Sequence, residues 1–290
     1  MEKILDGKKL AEKLNSELKS EIITLKSKSG VKPKLAAIIV GDNPASEIYV
    51  NMKRKKCEEV GIESILIKLN KNITQDILLR EISKLNDDRT VHGILLQLPL
   101  PGNLRDITPI LLEKISPIKD VDGFNPINKG RLFDYNEEFA PCTPKGIIAL
   151  LEFYKIDLKG KDVVIINRSN LVGKPLIFML LKRNSTVTIC HTSTVNIDNH
   201  IKKADILIVA VGKAKFITQS RIKEGVIIID VGQNRVNGKL MGDVDFYDVF
   251  EKCSKITPVP GGVGPLTVAF LLQNTFIAYK KQLKINKFEK

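Results

Sequence analysis

The stretch that decides the fold reads Val163-Val164-Ile165-Ile166-Asn167-Arg168-Ser169-Asn170-Leu171-Val172-Gly173-Lys174-Pro175. An apolar strand is followed here by a tight polar turn and the start of a helix. A phosphate group suits this arrangement, because the backbone N–H groups at a helix N-terminus point toward it. The Gly-x-Gly-x-x-Gly fingerprint of dinucleotide domains is missing. From the residues alone, an ordinary loop between a strand and a helix is an equally good interpretation.

Two neighbouring features favour a dinucleotide that carries a 2′-phosphate. Arg168 directly follows the strand, where its guanidinium can clamp a phosphate. The next strand leads into His191-Thr192-Ser193-Thr194, which contains no acidic residue. NAD-specific folds usually place Asp or Glu there to bind the ribose 2′-hydroxyl. The segment therefore predicts NADP as the cofactor, whereas His191 by itself fits an ordinary loop histidine equally well.

The rest of the chain alternates predicted strands and helices, which is typical of α/β proteins with largely parallel sheets. Asp6, Asn43 and Thr143 are the expected N-caps of three of the helices. A stretch rich in Pro, Gly, Asn and Asp, 116–141, is the best candidate for a domain junction. The strands are expected at 35–40, 65–69, 91–96, 163–166, 186–190, 206–211 and 226–231. The helices are expected behind Asp6, at 44–60, 74–85, from 144, at 173–183, 196–203 and 266–279.

Composition excludes several classes of protein. The 290 residues are 43% hydrophobic and 27% charged, which excludes a disordered chain, a collagen and a disulfide scaffold. The length suggests two domains. No apolar run reaches the roughly 18–20 residues of a transmembrane helix, and the N-terminus meets charge too soon for a signal peptide. We therefore expect a cytoplasmic protein without a membrane partner.

The net charge of +13 raises the question of a nucleic-acid partner. Aromatic residues are only 6% of the chain and are not interleaved with the basic clusters at 53–56 and 280–290. A solvated, lysine-rich surface is therefore the preferred interpretation, and an acidic or phosphorylated small substrate would also suit a positive field. The four cysteines and three histidines lack metal-ligand spacing, so no metal is expected.

Tyr49 and Lys53 are the first candidates for catalysis. They lie four positions apart on one predicted helix, and therefore side by side on one face. Met52, Cys57 and Val60 share roughly that side, so the face is expected to be at least partly buried. A lysine that faces a buried cleft loses hydration and becomes a better acid or base. By sequence alone, a surface lysine on a basic helix remains the stronger alternative.

Three further segments carry polar or constrained residues. Gln97 ends an apolar strand, where α/β sheets bind ligands beyond the carboxyl ends of their strands. Asp120 and Asp122 are equally well explained as ligand-binding or as turn-forming residues. The glycines of 258–265 allow a flat ligand to approach the backbone closely, although a tight structural turn explains them as well.

Together these segments resemble the bifunctional methylenetetrahydrofolate dehydrogenase/methenyltetrahydrofolate cyclohydrolase family. The matches occur in family order and span nearly the whole chain. Each is modest alone, but the ordered set is very specific. The matching segments are Tyr49–Lys53 with Cys57 and Gly61-Ile62, Gly93–Pro101, Lys119–Asn125, Pro141–Pro144, Arg168–Pro175, Asp230–Gly232, Gly242–Val244 and Thr257–Pro265.

The resemblance implies two α/β domains flanking a cleft. Residues 1–140 would form a folate-binding catalytic domain, and residues 141–265 a Rossmann-like, parallel-sheet NADP-binding domain. A C-terminal helix, 266–290, would pack back on the first domain. It also implies a homodimer joined through the cofactor domains.

The resemblance further assigns roles to single residues. Lys53 would be the catalytic lysine, Tyr49 would stack near the pterin, and Gln97 would hold the lysine. Asp120 would accept the N–H donors of the pterin ring. The residues that would line the folate pocket are Pro258, Pro260, Gly261 and Gly262. Those that would contact NADP are Asn167, Arg168, Ser169, Thr192 and Gln233.

Asn167 departs from the family pattern, which usually has glycine at this position. Glycine there permits a positive φ and a close approach of phosphate. Because asparagine tolerates the left-handed region better than other non-glycine residues, the turn is expected to survive. The departure bears on the affinity for cofactor and on the preference between NADP and NAD.

The implied activity has two steps in one-carbon metabolism. NADP would oxidise 5,10-methylenetetrahydrofolate to 5,10-methenyltetrahydrofolate, and hydrolysis would then give 10-formyltetrahydrofolate. The first step needs orientation more than acid or base catalysis, whereas the second needs proton transfers. The alternatives are a monofunctional NAD(P)-linked dehydrogenase and a basic nucleic-acid-binding protein on a Rossmann-like scaffold.

Overall fold

The structure is a computed structural model that describes residues 3–288. Met1, Glu2, Glu289 and Lys290, which belong to the first and last predicted domains, lie outside the described residues. The chain forms two compact units. The three-stranded unit comprises 13–131, 138–140 and the described residues from 268 onward. The five-stranded unit comprises 132–137, 141–267 and the described residues up to 12.

Helices and strands alternate along most of the chain, as the sequence predicts. The strands are β1 (Lys34–Val40), β2 (Glu63–Leu69), β3 (Gly93–Leu96), β4 (Asp162–Ile166), β5 (Thr186–Cys190), β6 (Ile206–Val209), β7 (Ile227–Asp230), β8 (Asn234–Val236), β9 (Lys239–Met241) and β10 (Lys255–Ile256). The helices are α1 (Gly7–Ser29), α2 (Pro44–Val60), α3 (Gln75–Asp87), α4 (Thr108–Glu113), α5 (Pro126–Phe133), α6 (Cys142–Phe153), α7 (Gly173–Leu181), α8 (Ile197–Ile201), α9 (Phe246–Val249) and α10 (Val263–Phe288).

The three-stranded unit has a parallel sheet with the strand order β2-β1-β3. The central strand β1 is buried from Leu35 to Val40, because it pairs on both edges and apolar side chains cover both faces. The core on one face joins β1 and β3 to apolar residues of α3 and α4, among them Leu78, Ile82 and Leu111. This packing fixes the end of β3, where Gln97 N–H donates to Ile38 O at 2.9 Å.

The five-stranded unit has an all-parallel sheet with the order β10-β7-β6-β4-β5. The prediction of an α/β fold with parallel sheets is therefore confirmed. The strand order reverses between β4 and β6, so the loops after these two strands diverge and leave a crevice at their carboxyl ends. A separate hairpin, β8-β9, turns at Asn237-Gly238, where both residues have a positive φ.

Local side-chain chemistry explains where several helices begin. Asp6 Oδ1 accepts a hydrogen bond from Lys9 N at 3.0 Å, and Asn43 Oδ1 accepts one from Ser46 N at 3.1 Å, which confirms both predicted N-caps. The prediction for Thr143 is wrong. Helix α6 starts at Cys142, two residues before the predicted start, so Thr143 lies inside the helix. The Thr143 hydroxyl instead lies 2.9 Å from the Thr267 hydroxyl.

The last helix is longer at both ends than the predicted 266–279. It starts at Val263, so the last three residues of the segment 257–265 are helical. Within the three-stranded unit it is anchored by Asn274, whose Nδ2 donates to Val121 O at 2.8 Å. In the part of the chain from 3 to 288, no helix combines the length and the apolar character that crossing a membrane requires.

Candidate active site

The five-stranded unit opens into a pocket of about 530 Å³ at the carboxyl ends of β4 and β6. This is the crevice that the strand order creates. Its charged lining residues are all basic, and no carboxylate lines it. The residues that line it are Ile166, Asn167, Arg168, Cys190, His191, Thr192, Thr194, Ile197, Ala210, Val211, Lys213, Phe216 and Arg221.

The basic side chains of this pocket differ in how they are held. Arg221 is fixed, since its guanidinium donates to Asp198 and to Phe216 O and lies 4.3 Å above the Phe216 ring. The Arg168 side chain is exposed. Backbone groups shape the loop opposite, where His191 N donates to Thr194 Oγ1 at 2.9 Å and Ser193 N donates to His191 Nδ1 at 3.2 Å. The donor set of this pocket fits a ligand that carries several phosphates.

Asn167 organises the turn between β4 and α7 with its side chain. Its Oδ1 accepts from Ser169 N at 2.8 Å and from Gly173 N at 3.0 Å, and its Nδ2 donates to Ala210 O at 2.7 Å. Asn167 does not have a positive φ, so tolerance of the left-handed region is not what preserves the turn. Gly173 is needed here, because a Cβ at this position would lie 2.1 Å from Asn167 O.

In the three-stranded unit, α2 and the end of β3 bring Lys53 and Gln97 together. Lys53 Nζ donates to Gln97 Oε1 at 3.0 Å, and Gln97 Nε2 donates to Leu98 O at 2.6 Å. Tyr49 lies one helical turn before Lys53, and both side chains are half-buried. Cys57 and Val60 are buried as expected, but Met52 is 41% exposed, since it projects from the outer side of α2.

Asp122 is a carboxylate on whose pKa the charge of this lysine acts. Its side chain is half-buried, and burial raises its pKa to about 6. The positive charge of Lys53 acts in the opposite direction and lowers this pKa, whereas the negative charge of Asp120 raises it further. Lys53, Gln97 and Asp122 therefore form a cluster with one cation, one amide and one carboxyl group that is readily protonated.

Asp120 has a structural role, which is one of the two alternatives that the sequence left open and differs from the role that the resemblance implies. It is 1% exposed, and its carboxylate accepts from Phe124 N at 3.0 Å, from Asn125 N at 2.8 Å and from Asn128 Nδ2 at 2.8 Å. Burial raises its pKa, and these hydrogen bonds oppose that shift. Because its oxygens are occupied by the start of α5, Asp120 is not positioned to accept donors from a ligand.

Comparisons with known proteins agree with this geometry. The family model for the tetrahydrofolate dehydrogenase/cyclohydrolase catalytic domain matches residues 5–122, and that for its NAD(P)-binding domain matches residues 141–283. The chain belongs to the tetrahydrofolate dehydrogenase/cyclohydrolase family. It is 54% identical to the bifunctional protein FolD of Sulfurihydrogenibium sp. (strain YO3AOP1) over 282 residues, which is 97% of this chain and 98% of that protein.

Two solved structures of this family are similar over nearly the full length. The bifunctional enzyme FolD from Campylobacter jejuni is 51% identical, with a TM-score of 0.91 and coverage of 96% of this chain and 99% of that one. The Trypanosoma brucei dehydrogenase-cyclohydrolase, complexed with NADP cofactor and an inhibitor, is 35% identical, with a TM-score of 0.92 and coverage of 97% and 98%.

In this family member, the residues predicted to contact NADP do not all reach the pocket. Asn167, Arg168 and Thr192 line it. Ser169 is adjacent, and its Oγ accepts from Val172 N at 3.1 Å, so it stabilises the turn. Gln233 is exposed and lies near the start of α10, where its Nε2 would be 2.9 Å from a Cβ on Gly264.

The segment predicted to line the folate pocket forms a tight turn in the five-stranded unit. Gly261 has a φ of +107°, and a Cβ on Gly262 would lie 2.6 Å from Pro258 O. The turn is further fixed by Lys8 N, which donates to Gly261 O at 2.8 Å. These contacts explain the glycines structurally, and the contact of Pro258, Pro260, Gly261 and Gly262 with folate stays a prediction.

Lys119 is a buried lysine whose role the sequence did not indicate. Its Nζ donates to Leu85 O, Asn86 O and Asp88 O at 2.7–2.8 Å, so it satisfies carbonyl groups at the end of α3. Burial lowers its pKa. In the sequence, the only indication of its role was its position beside Asp120, because its partners lie more than thirty residues earlier in the chain.

Among residues 3–288, no group of His, Cys, Asp or Glu side chains is arranged to hold a metal ion.

Proposed function

We propose that this chain oxidises 5,10-methylenetetrahydrofolate to 5,10-methenyltetrahydrofolate with NADP and hydrolyses the product to 10-formyltetrahydrofolate. The observation that carries the proposal is the hydrogen bond of 3.0 Å between Lys53 Nζ and Gln97 Oε1, with the carboxyl group of Asp122 nearby. The names of the relatives, which are bifunctional dehydrogenase/cyclohydrolases, support both reactions.

NADP fits the pocket of the five-stranded unit because its charged lining residues are all basic. Arg168, at the end of β4, is the residue that would bind the 2′-phosphate, and Thr192 would hydrogen-bond to the same group. When bound, NADP supplies the acceptor for the hydride of the methylene bridge. Arg221 and Phe216 are held in place by their contacts with each other and would form part of the pocket lining.

Lys53 carries the proton transfers of the hydrolysis. Water must lose a proton as it adds to the methenyl carbon, and the departing nitrogen must gain one. Lys53 is held by the oxygen of Gln97, which accepts a hydrogen bond and cannot donate one, so the lysine exchanges protons with the substrate or water. Tyr49, on the same face of α2, is positioned to contact a flat ring beside the lysine.

Asp122 replaces Asp120 as the residue that accepts N–H donors from the pterin. It is half-buried and within the electrostatic reach of Lys53, whereas the oxygens of Asp120 accept hydrogen bonds from its own segment. A carboxylate that accepts two N–H groups of a planar ring orients that ring strongly. Asp122 thus positions the folate for both reactions.

One assay of the purified protein tests this function. Mixing it with methylenetetrahydrofolate and NADP should produce NADPH absorbance, and methenyltetrahydrofolate added alone should lose its absorbance through hydrolysis. The first signal without the second would indicate a monofunctional dehydrogenase. The absence of both signals would contradict the proposal. A gel shift that weakens as salt is added would then favour the nucleic-acid-binding alternative.

A homodimer formed through the five-stranded unit is part of this proposal. Phe133 is 62% exposed and Tyr135 47% exposed, and the Phe133 ring lies 5.1 Å from that of Phe178 on α7. Exposed apolar side chains grouped in this way mark interaction surfaces. Sedimentation should show a dimer that Phe133→Asp weakens, and a monomeric wild-type protein would contradict this part.

The remaining parts of the proposal concern domains and location. We propose the domains 1–140, 141–265 and 266–290 as functional divisions, a cytoplasmic location, and no nucleic-acid, membrane or metal partner. Many lysines are paired with carboxylates, as in Lys56–Glu59 at 2.6 Å and Lys84–Glu81 at 2.6 Å, which supports a solvated surface.

A further inference from the structure

The loop that follows β6, 210–213, forms one wall of the cofactor pocket. Ala210, Val211 and Lys213 line the pocket directly. This loop makes little regular structure of its own, since β6 ends at Val209. Its shape must therefore be fixed by side chains from elsewhere in the five-stranded unit.

The buried carboxylate of Asp243 fixes this loop. Its Oδ2 accepts from Val211 N at 2.6 Å and from Gly212 N at 3.0 Å, and its Oδ1 accepts from Lys213 N at 2.9 Å. Three consecutive backbone N–H groups thus converge on one side chain that is 0% exposed. Asn234 Nδ2 completes the set with a hydrogen bond of 2.8 Å to Oδ1.

The loop backbone has the geometry of an anion-binding nest. Gly212 has a φ of +68°, and consecutive N–H groups around such a residue form a concave site for negative charge. Here the protein fills that site with its own carboxylate. The nest therefore serves to set the position of the wall, and cofactor phosphates must be held by other groups such as Arg168.

A second buried carboxylate holds Asp243 in place. Asp230, at the end of β7, accepts from Gly232 N and Asp243 N at 2.9 Å and from Val244 N at 3.0 Å. Glycine is required at position 242, because a Cβ there would lie 1.8 Å from Asp230 Oδ2. Asp230 thus connects the sheet to Asp243, and Asp243 connects to the pocket wall.

On its other side the loop is held by Asn167, whose Nδ2 donates to Ala210 O at 2.7 Å. The loop is therefore clamped between an amide from the end of β4 and a carboxylate from the segment after β9. We propose that Asp243 is a positioning residue for NADP: it shapes the pocket wall through the N–H groups of 211–213 without touching the cofactor. This inference rests on the proposed function.

The test is the substitution Asp243→Asn, which keeps the size of the side chain but replaces one acceptor oxygen with an N–H₂ group. The Kd and KM for NADP should rise roughly 10- to 100-fold, because a displaced wall misplaces the bound cofactor. The hydrolysis of methenyltetrahydrofolate, which uses no NADP, should stay within about twofold of wild type. The matched control is Asp205→Asn, since Asp205 also accepts a backbone N–H, that of Asp162 at 3.0 Å, at the opposite end of β6. The control should leave the Kd for NADP unchanged.

A second pair of variants covers the case in which Asp243→Asn does not fold. Gly212→Ala and Gly225→Ala both place a Cβ in open space at a positive φ, +68° and +75° respectively, so their intrinsic cost is similar. Only Gly212 belongs to the wall. Gly212→Ala should raise the KM for NADP, and Gly225→Ala should not.

Equal effects of the two glycine variants, or an unchanged Kd for NADP in a folded Asp243→Asn protein, would overturn the positioning role. Parallel loss of hydrolysis and NADP binding would show that Asp243 only stabilises the fold, which also overturns it. If the wild-type protein itself fails to bind NADP, the proposed function fails instead. The two failures are therefore distinguishable.

Discussion

Lys53 and Gln97 are joined by a hydrogen bond of 3.0 Å whose direction is fixed by a second one. Gln97 Nε2 donates to Leu98 O at 2.6 Å, so the amide oxygen, and not the N–H₂ group, faces the lysine. An amide oxygen accepts a hydrogen bond but does not take up or release a proton. The lysine is thus oriented by a group that takes no part in the proton transfers.

We predict that Lys53→Met loses the hydrolysis of methenyltetrahydrofolate but keeps a measurable dehydrogenase. Methionine preserves the length and apolar stem of the side chain and removes its titratable group. General acid–base catalysis of this kind contributes roughly 10²- to 10⁴-fold, whereas hydride transfer depends mainly on orientation. Both activities can be followed on one sample through methenyl absorbance, which falls in the first reaction and rises with NADP in the second.

The matched control for this substitution is Lys55→Met, two positions along α2 on an exposed side chain. It removes the same charge from the same helix and should leave both activities near wild type. Hydrolysis that survives in a folded Lys53→Met protein would show that Lys53 is not the proton carrier.

Asp120 and Asp122 should give opposite results when substituted. Asp120→Ala leaves three donors, two of them buried, without their acceptor, and we expect it to lower the free energy of unfolding by about 2–4 kcal/mol. Asp122→Asn should not destabilise at pH 7. Burial raises the pKa of Asp122 to about 6, above the unfolded value of 3.8, so its ionised form is penalised in the folded state.

Assays of the two activities should also distinguish the role of Asp122 from that of Asp120. Asp122→Asn should raise the KM for both folate substrates, because an amide presents an N–H₂ group where the pterin needs an acceptor. Denaturant unfolding and the two absorbance assays check these expectations. Strong destabilisation by Asp122→Asn, or unchanged folate binding, would return Asp122 to the status of a turn residue.

Much of the fold was predictable because it depends on local patterns. The apolar run 35–40 and the Asn43-Pro44 pair specify a strand and a helix start without help from distant residues. The pairing of Tyr49 with Lys53 follows from helical periodicity alone. Gln97 was predictable for the same reason, since it directly follows a buried strand and α/β sheets place their sites at that end.

The errors arose where tertiary partners decide the role of a residue. Asp120 and Asp122 lie two positions apart in similar sequence surroundings. Their roles differ because Asn128 and the backbone at the start of α5 donate hydrogen bonds to Asp120. Thr143 was expected to cap a helix, but its hydroxyl contacts the hydroxyl of Thr267, which is 124 residues away in the chain. Sequence patterns carry no direct record of such contacts.

Arg168→Ala should weaken NADP far more than NAD. The guanidinium at the end of β4 is exposed in a pocket without lining carboxylates, and its proposed partner is the 2′-phosphate, which only NADP carries. Loss of a charged hydrogen bond costs about 1–3 kcal/mol of binding free energy. Titration with both dinucleotides measures the difference. Equal losses would mean that Arg168 supports the fold or binds the pyrophosphate, which both cofactors share.

The stability of the three-stranded unit should depend on pH through His92. This ring is 2% exposed, its Nδ1 accepts from Lys34 N at 3.1 Å, and it packs edge-on against Tyr279 at 4.9 Å. Burial lowers its pKa from 6.5 to about 4, and the positive charges of Lys119 and Lys34 add to the shift. The folded protein therefore keeps the imidazole neutral over a range in which the unfolded chain is protonated.

We predict that the contribution of His92 to stability is fully present above pH 6.5 and is lost as the pH falls toward 4, by about 3 kcal/mol in total. The variant His92→Phe cannot take up a proton. It loses the acceptor for Lys34 N and should be less stable than wild type at neutral pH. Asp122 and Asp230, whose pKa values are raised to about 6, titrate in the same range with the opposite sign, but they do so in both proteins. Denaturant unfolding of the two proteins between pH 7 and pH 4 should therefore show a difference in stability that narrows on acidification. A constant difference would mean that His92 is not held neutral by the fold.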